Sequence, residues 1–329
     1  MKVLQIIGAD LSKKTIDFAT ADASHIKVSN DPAGYQQFMG WLKKQRINSR
    51  QMMIVMEHTG LYSHRLEQYL HAQQVSFTKV PAIAIKLSLG IVRGKNDKID
   101  AKRIARYGVE KQASLVAEGP VDKILERLQM LHSTRDRVVR TRASILRAVK
   151  EYQETCGLKK TDLIISSQRR IIKCMTDEIV KLDHEIAKVL SSEPSLKKNN
   201  ELLQSITSVG QVVALASILT TRNFTRFPNG RKYACYCGTA PFENKSGSSI
   251  RGKTKVSHLA DKSMKRLLDL AAKTAIQYDK ELRDYYLRRT TAGKSKMSTI
   301  NIVRNKIIHR MFAVIKRQTP FIKDYLQSA

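Results

Sequence analysis

Gly94-Lys95-Asn96-Asp97-Lys98-Ile99-Asp100-Ala101-Lys102-Arg103 is the stretch on which the rest of the chain turns. Asp97 and Asp100 stand three residues apart, on one face of a helix, in a run with five basic residues counting Arg93. An Asn and an Asp ahead of the apolar positions Ile99, Ile104 and Tyr107 are also an ordinary N-cap signal. Capping accounts for one acid or two. It leaves out Asp10 and Glu57, which close apolar, strand-like runs far away in sequence. The four acids are expected to converge on divalent metal, with the basic residues around them holding a nucleic-acid backbone.

Upstream, Val3–Ile7 is apolar and ends in Gly8-Ala9-Asp10, and Thr15–Thr20 alternates with a period of two, which predicts a β-hairpin. Asp31-Pro32-Ala33-Gly34 breaks the chain, and Tyr35, Phe38, Met39 and Leu42 then have helical spacing. Met52–Met56 is a second buried strand, ended by Glu57, with a helix after it marked by Leu61, Leu66, Tyr69 and Leu70. Val75–Val80 is a further strand, closed by Pro81, and a basic turn and helix carrying Asp97 and Asp100 follow. Strands alternating with helices predict an α/β domain over residues 1–115, and acids at strand ends lie where open sheets place chemistry.

Downstream the period changes. Ile124, Leu128, Leu131, Arg135, Val138, Arg142, Ile145, Val149 and Tyr152 step by fours and threes, with two arginines on the seam. A second such run, Ile172 to Val189, follows a break near Gly157. Residues 116–196 are therefore expected to form a long antiparallel helical hairpin, either a bundle layer or an intermolecular coiled coil. Residues 197–329 are expected to be mostly helical. Leu202–Ile206, the turn Thr207-Ser208-Val209-Gly210 and the helix Gln211–Leu219 have a helix-hairpin-helix layout, whose helix start can receive a phosphate. Phe224–Tyr236 is basic and aromatic, and Asn244–Lys253 reads as a small, polar, basic loop. Two helices, about 260–289 and 299–316, are expected to be separated by a flexible basic segment, 290–296.

Charge narrows the partner. Lys and Arg number 59 against 29 Asp and Glu, a net +30. The excess is +8 over 1–110, +6 over 111–200 and +16 over 201–329, which points to a polyanion, nucleic acid before an anionic membrane surface. No 18-residue apolar run and no lipidation signal are found, and Met1–Ile7 is too short for a signal peptide. The four cysteines have neither a disulfide framework nor zinc spacing, which fits a reducing cytoplasm.

Three constellations carry chemistry. Asp10, Glu57, Asp97 and Asp100, in one α/β domain, match a ribonuclease-H/RuvC-like arrangement, in which carboxylates bind two Mg²⁺ (or Mn²⁺) ions at a phosphodiester. An actin-like kinase start is the competitor, but no Asp-x-Gly-Gly-x-Thr loop is found. Ser246, Ser248 and Ser249 lie among Lys245, Arg251 and Lys253. A serine here could attack a phosphodiester with help from those cations, although such loops more commonly just contact phosphate. No His or Asp has the spacing of a triad. The basic C-terminal third, with Lys294, Lys296, Arg304, Lys306, Arg310, Lys316 and Arg317 and with Tyr285, Tyr286 and Phe312 interleaved, is expected to contact a nucleic-acid backbone. Lys13, Arg93, Lys95 and Lys98 are expected to do so around the acids.

Taken together the chain resembles the DEDD transposases of the IS-one-ten type, insertion-sequence recombinases related to the Piv invertase. The resemblance is carried by Gly8-Ala9-Asp10-x-x-Lys13, Glu57-x-Thr59-Gly60-x-Tyr62 and Lys95-Asn96-Asp97-x-x-Asp100-Ala101. It is carried further on by Ile206-x-x-Val209-Gly210, Gly238-x-x-Pro241 and Ser246-Gly247-Ser248-Ser249-Ile250-Arg251-Gly252. It implies a RuvC-like domain with metal-binding Asp10, Glu57, Asp97 and Asp100, a serine nucleophile at Ser246, and a C-terminal transposase domain. It also implies donor and target DNA, a structured noncoding guide RNA, a dimer assembling to a tetramer, and action at the nucleoid of a bacterial cytoplasm. Cys235-Tyr236-Cys237 and Lys245 directly before the serine depart from the usual pattern. A metal-dependent junction nuclease and a non-catalytic nucleic-acid-binding protein are the alternatives.

Overall fold

The computed structural model describes residues 5–22, 24–58, 60–88, 96–119, 122–246, 250–257 and 259–322, with only the backbone given along 243–246 and 250–255. The chain divides into two compact units, Met1–Val121 and Asp122–Ala329.

The first unit is built on a five-stranded mixed sheet in the order β3-β2-β1-β4-β5. Its strands are β1 (Gln5–Leu11), β2 (Thr15–Thr20), β3 (His25–Ser29), β4 (Met52–Glu57) and β5 (Ser76–Val80). β1, β4 and β5 run parallel, and β2 and β3 continue antiparallel from β1. The expected hairpin therefore gains a third strand, β3. Its signal, Ile26 and Val28 alternating with His25, Lys27 and Ser29, is weak because two apolar residues are too few to set a period. One face packs against α1 (Pro32–Lys44) and α2 (His64–Ala72), where Ile7, Phe18, Ile54 and Phe77 meet Tyr35, Phe38, Leu42, Leu66 and Leu70. Phe18 stacks on Phe38 with ring centroids 3.8 Å apart. Asp31-Pro32 starts α1: Asp31 Oδ1 accepts from Gly34 N at 2.9 Å, and Pro32 occupies the first turn, where no N–H is needed.

The opposite face receives α3 (Ala82–Ser88) and α4 (Asp97–Glu110) through Ile6, Met53, Val55, Val80, Ile85 and Ile104. α4 lies unusually close to the sheet. A Cβ added at Gly8 would stand 2.1 Å from Ala101 O and 2.4 Å from Ala105 N, and one at Gly108 would stand 2.5 Å from Ile6 Cγ2. Gly8 on the strand and Ala101, Ala105 and Gly108 on the helix form a lane of small residues that lets two backbones approach. This approach positions the site.

The second unit opens with α5 (Lys123–Thr155) and α6 (Leu163–Ser191). They return antiparallel: Arg135 binds Asp183, and Arg142 Nη1 donates to Thr176 Oγ1 at 3.1 Å. The two arginines on the apolar seam thus reach across to the facing helix. α7 (Pro194–Gln204), α8 (Gln211–Thr221), α9 (Gly230–Tyr236), α10 (Lys262–Tyr278), α11 (Lys280–Thr291) and α12 (Lys296–Arg317) build one helical core. Gly210 stands at the N-cap position of α8 in extended backbone.

Four expectations change here. Asn244–Lys253 is not a loop: β6 (Pro241–Ser246) and β7 (Ile250–Val256) pair as an antiparallel hairpin. Ile250, Gly252, Thr254 and Val256 alternate with Arg251, Lys253 and Lys255, a strand period that the basic charge obscured. The single helix over 260–289 is two, because Asp279 ends α10 in extended backbone and caps α11 through Leu282 N at 3.0 Å. Of the basic segment 290–296, Thr290 and Thr291 belong to the end of α11 and Lys296 to the start of α12, which leaves a short connection over 292–295. Finally, Arg304 is buried and Arg310 and Phe312 are half-buried, each engaged by partners within the fold. Arg304 pairs with Asp269, Arg310 Nη1 with Asp279 Oδ2 at 2.6 Å, and Phe312 packs on Phe224 and Tyr233.

Candidate active site

Asp10 is the sixth residue of β1 and Glu57 the last of β4. The parallel register pairs Ala9 with Met56, so the two acids stand side by side at the carboxyl ends of adjacent strands. Alternation decides their direction. Ile7 and Ala9 join the core under α1 and α2, so Gly8 and Asp10 take the face that carries α4. Asn96 is the cap of α4, its Oδ1 accepting from Ile99 N at 2.8 Å. Asp97 and Asp100 are consequently not consumed by capping. They occupy the first turn, where the helix dipole favours negative charge.

The four carboxylates line one cavity of about 660 Å³, together with Asp17, Arg103 and Ile104. Burial pushes the Asp10 carboxyl up to about 6, helped by the negative charges of Asp100, Asp97, Glu57 and Asp17, in that order. Two cations hold the flanks. Arg103 Nη1 donates to Asp100 Oδ1 at 2.9 Å, and Lys27 Nζ reaches Asp97 Oδ2 at 3.2 Å and Asp17 Oδ2 at 3.4 Å.

Asp17 is the residue that sequence reasoning missed. It pairs with Asp10 in the β1–β2 register, is 3% exposed, and binds His25 Nε2 at 2.7 Å. Its signal was available: an acid between Ile16 and Phe18 has to face away from the core that those two enter. Hard carboxylate oxygens are the donor set that Mg²⁺ and Mn²⁺ prefer, so the residues present fit such an ion. Among the described residues, however, no three of these groups stand close enough together to hold one.

Of the other expected residues, Lys13 is exposed in the β1–β2 turn and Lys98 in the first turn of α4. Arg93 and Lys95 lie outside the described residues. On the second unit Ser246 is the last residue of β6 and pairs with Ile250, which puts it at the tip of the hairpin, with Lys245 opposite Arg251. Lys253 lies on β7, and Ser248 and Ser249 fall outside the described residues. Lys294 is half-buried between α11 and α12, and Lys296 is exposed at the start of α12.

Two family models match consecutive parts of the chain. A DEDD transposase model of the IS110 type matches residues 7–152, and the model "Transposase IS116/IS110/IS902 family" matches residues 200–287. The pilin gene-inverting protein of Moraxella bovis is 26% identical over 330 residues, covering 96% of this chain and 97% of that protein. The transposase for insertion sequence element IS1111A of Coxiella burnetii is 21% identical over 273 residues, covering 75% of this chain and 71% of that protein.

Proposed function

This chain belongs to the IS110 family of transposases and is a DNA recombinase, and from that premise we propose that it exchanges DNA strands with an acidic metal site and a serine nucleophile. In this reading the first unit is a RuvC-like domain. Asp10, Glu57, Asp97 and Asp100 would hold Mg²⁺ or Mn²⁺, which supplies charge neutralisation at a phosphodiester when bound. Ser246 Oγ attacks the DNA phosphate. An Oγ–P bond forms, the bond from phosphorus to the leaving deoxyribose oxygen breaks, the serine proton passes to a base and the leaving oxygen takes up a proton. Attack on the phosphoserine by an incoming DNA hydroxyl reverses these steps and joins the new strands.

The observation that carries the reading is the cavity of unit 1. Two parallel strand ends and one helix start, far apart in sequence, bring four carboxylates to one opening, with the Asp10 carboxyl pushed up to about 6. Such mutual repulsion is stable only where a cation or a proton relieves it. The basic residues Lys13, Lys98, Lys245, Arg251, Lys253, Lys294 and Lys296, with Arg93 and Lys95, would contact nucleic acid, and Ser248 and Ser249 would contact phosphate. Lys27 and Asp17 would hold Asp97 in place.

A structured guide RNA pairing with donor and target DNA belongs to the same proposal. So does assembly of dimers into a tetramer along the α5–α6 hairpin, packed as a coiled coil. Exposed Leu146, Ile164, Ile171 and Val180 support that contact, since helices facing only water have no use for them. The described helices include none long and apolar enough to cross a membrane, and the proposed place of action is the bacterial nucleoid.

Asp10→Ala and Ser246→Ala are each expected to abolish strand exchange, by at least about 10³-fold, while DNA binding measured by gel shift stays near wild type. A protein–DNA adduct surviving denaturing electrophoresis is expected for wild type and absent for Ser246→Ala. Normal recombination by Ser246→Ala would remove the nucleophile assignment and favour a metal-dependent junction nuclease.

A further inference from the structure

We propose that the cavity at the base of the β6–β7 hairpin is a nucleotide-binding site, which takes the phosphate and base of one nucleotide in the DNA strand that reaches Ser246. The assignment of a strand to Ser246 rests on the function proposed above, but the site itself stands on its own geometry. The cavity measures about 690 Å³ and lies wholly within unit 2. Pro241 and Val256, paired at the base of the hairpin, form one wall. Lys265 of α10 and Lys294, just before α12, bring two cations to it, and no acid lines it among the described residues.

α12 supplies the floor. Ser298, Asn301, Ile302 and Asn305 recur at helical spacing along one face, beginning in the first turn, whose N–H groups and dipole favour a phosphate. Two polar atoms point to a ligand independently of that helix start. Arg304 lines the cavity, is 5% exposed, and has an Nε with no partner, although its other nitrogens bind Asp269 and Asn301. Asn305 Oδ1 is buried and equally unpartnered. Buried polar groups are satisfied in the great majority of cases, so two orphan atoms on adjacent residues of the cavity wall mark missing hydrogen bonds.

A bare phosphate satisfies cations and donors but leaves a carbonyl acceptor unmet. A nucleobase edge, with donor and acceptor side by side, suits an Asn amide, and Pro241, Met297 and Ile302 offer apolar surface to its faces. The cavity therefore matches a whole nucleotide better than a phosphate ion. β6 then leads from this cavity to Ser246, five residues on and about 17 Å away at 3.4 Å per residue. That is about five phosphate steps of a stacked strand. The hairpin measures the distance from the held nucleotide to the reacting one.

The test uses the full-length protein in equilibrium binding without metal. The probes are a 20-nucleotide single-stranded DNA of mixed sequence and a base-less deoxyribose-phosphate oligomer of equal length. Asn305→Ala is expected to weaken binding of the DNA about fivefold and to leave the base-less oligomer unchanged. Lys265→Ala and Lys294→Ala are expected to weaken both oligomers alike, each lowering the salt slope by about one. Lys294 lies outside the helices, so its variant keeps the test decisive if Asn305→Ala melts early.

Equal weakening of both oligomers by Asn305→Ala, or unchanged salt slopes in both lysine variants, overturns the proposal. So does an Asn305 effect seen with RNA of the same sequence and not with DNA. Strand exchange does not enter these measurements. Their failure would leave the roles of Asp10 and Ser246 standing, and a recombining Ser246→Ala would leave this site standing.

Discussion

The two cavities of this molecule are opposites in charge and in construction. In unit 1, five carboxylates line an opening framed by strand ends and one helix start, and their charges oppose one another. In unit 2, Lys265, Lys294 and Arg304 line an opening framed chiefly by one helix and a hairpin base, and Arg304 is neutralised behind the wall by Asp269. The lesson is where rigidity is needed. Groups that repel at close quarters have to be held by backbone packed on backbone, whereas cations spread over separate elements can sit on helix surfaces. A basic chain of net +30 thus keeps this cluster of carboxylates where a helix backbone packs directly on a strand.

Loosening that scaffold has the largest expected effect. Gly8→Ala would place a Cβ 2.1 Å from a backbone oxygen of α4, which no rotamer change can relieve. The helix has to shift by over an ångström, carrying Asp97 and Asp100 with it. The expected outcome is a loss of about 2–3 kcal/mol in the stability of unit 1, read by denaturant melts, and strand exchange reduced as far as by Asp10→Ala. Near-normal exchange by Gly8→Ala would show that the α4 acids do not need their position. A smaller and more local effect is expected in unit 2. Arg304→Met keeps the stem but leaves Asp269 to Lys273 alone. It should cost about 1–3 kcal/mol with no change in the metal response of unit 1.

How much could be read from the sequence differs between the units for the same reason. In unit 1 the strands are short apolar runs ended by acids, so Asp10 and Glu57 announce themselves. Asp97 and Asp100 follow because Asn96 is the better cap. Asp17 escaped notice because a single acid inside an apolar strand looks like ordinary alternation, and only the β1–β2 register sets it against Asp10. In unit 2 the repeated Lys and Arg hid structure. The period of β7 lay beneath its lysines, and Arg304 and Arg310 look no different from surface cations until Asp269 and Asp279 arrive from other helices. Pairings between distant helices carry no local signal. The cavity beside the hairpin depends on several such pairings, so it could not be read in advance.

The smallest effect is the most specific to the acidic cavity. The carboxyl of Asp10 stands near 6 in the folded chain against 3.8 when unperturbed. Between those values the folded state holds a proton that the unfolded state has released, so this group's contribution is fully present below about pH 4 and is lost as the pH rises through about 6. Asp10→Asn removes the term. Without metal, its melting temperature should match wild type near pH 4 and exceed it by about 2–4 °C at pH 7.5, equal to about 1 kcal/mol after allowing for partial exposure. Mg²⁺ should raise the melting temperature of wild type at pH 7.5, progressively less as the pH falls through 6, because the ion and the proton compete for the same oxygens. Asp10→Asn should lose most of that response. A variant no more stable than wild type at pH 7.5 would mean that Lys27 and Arg103 already neutralise the cluster, and the acidic cavity would no longer count as self-repelling.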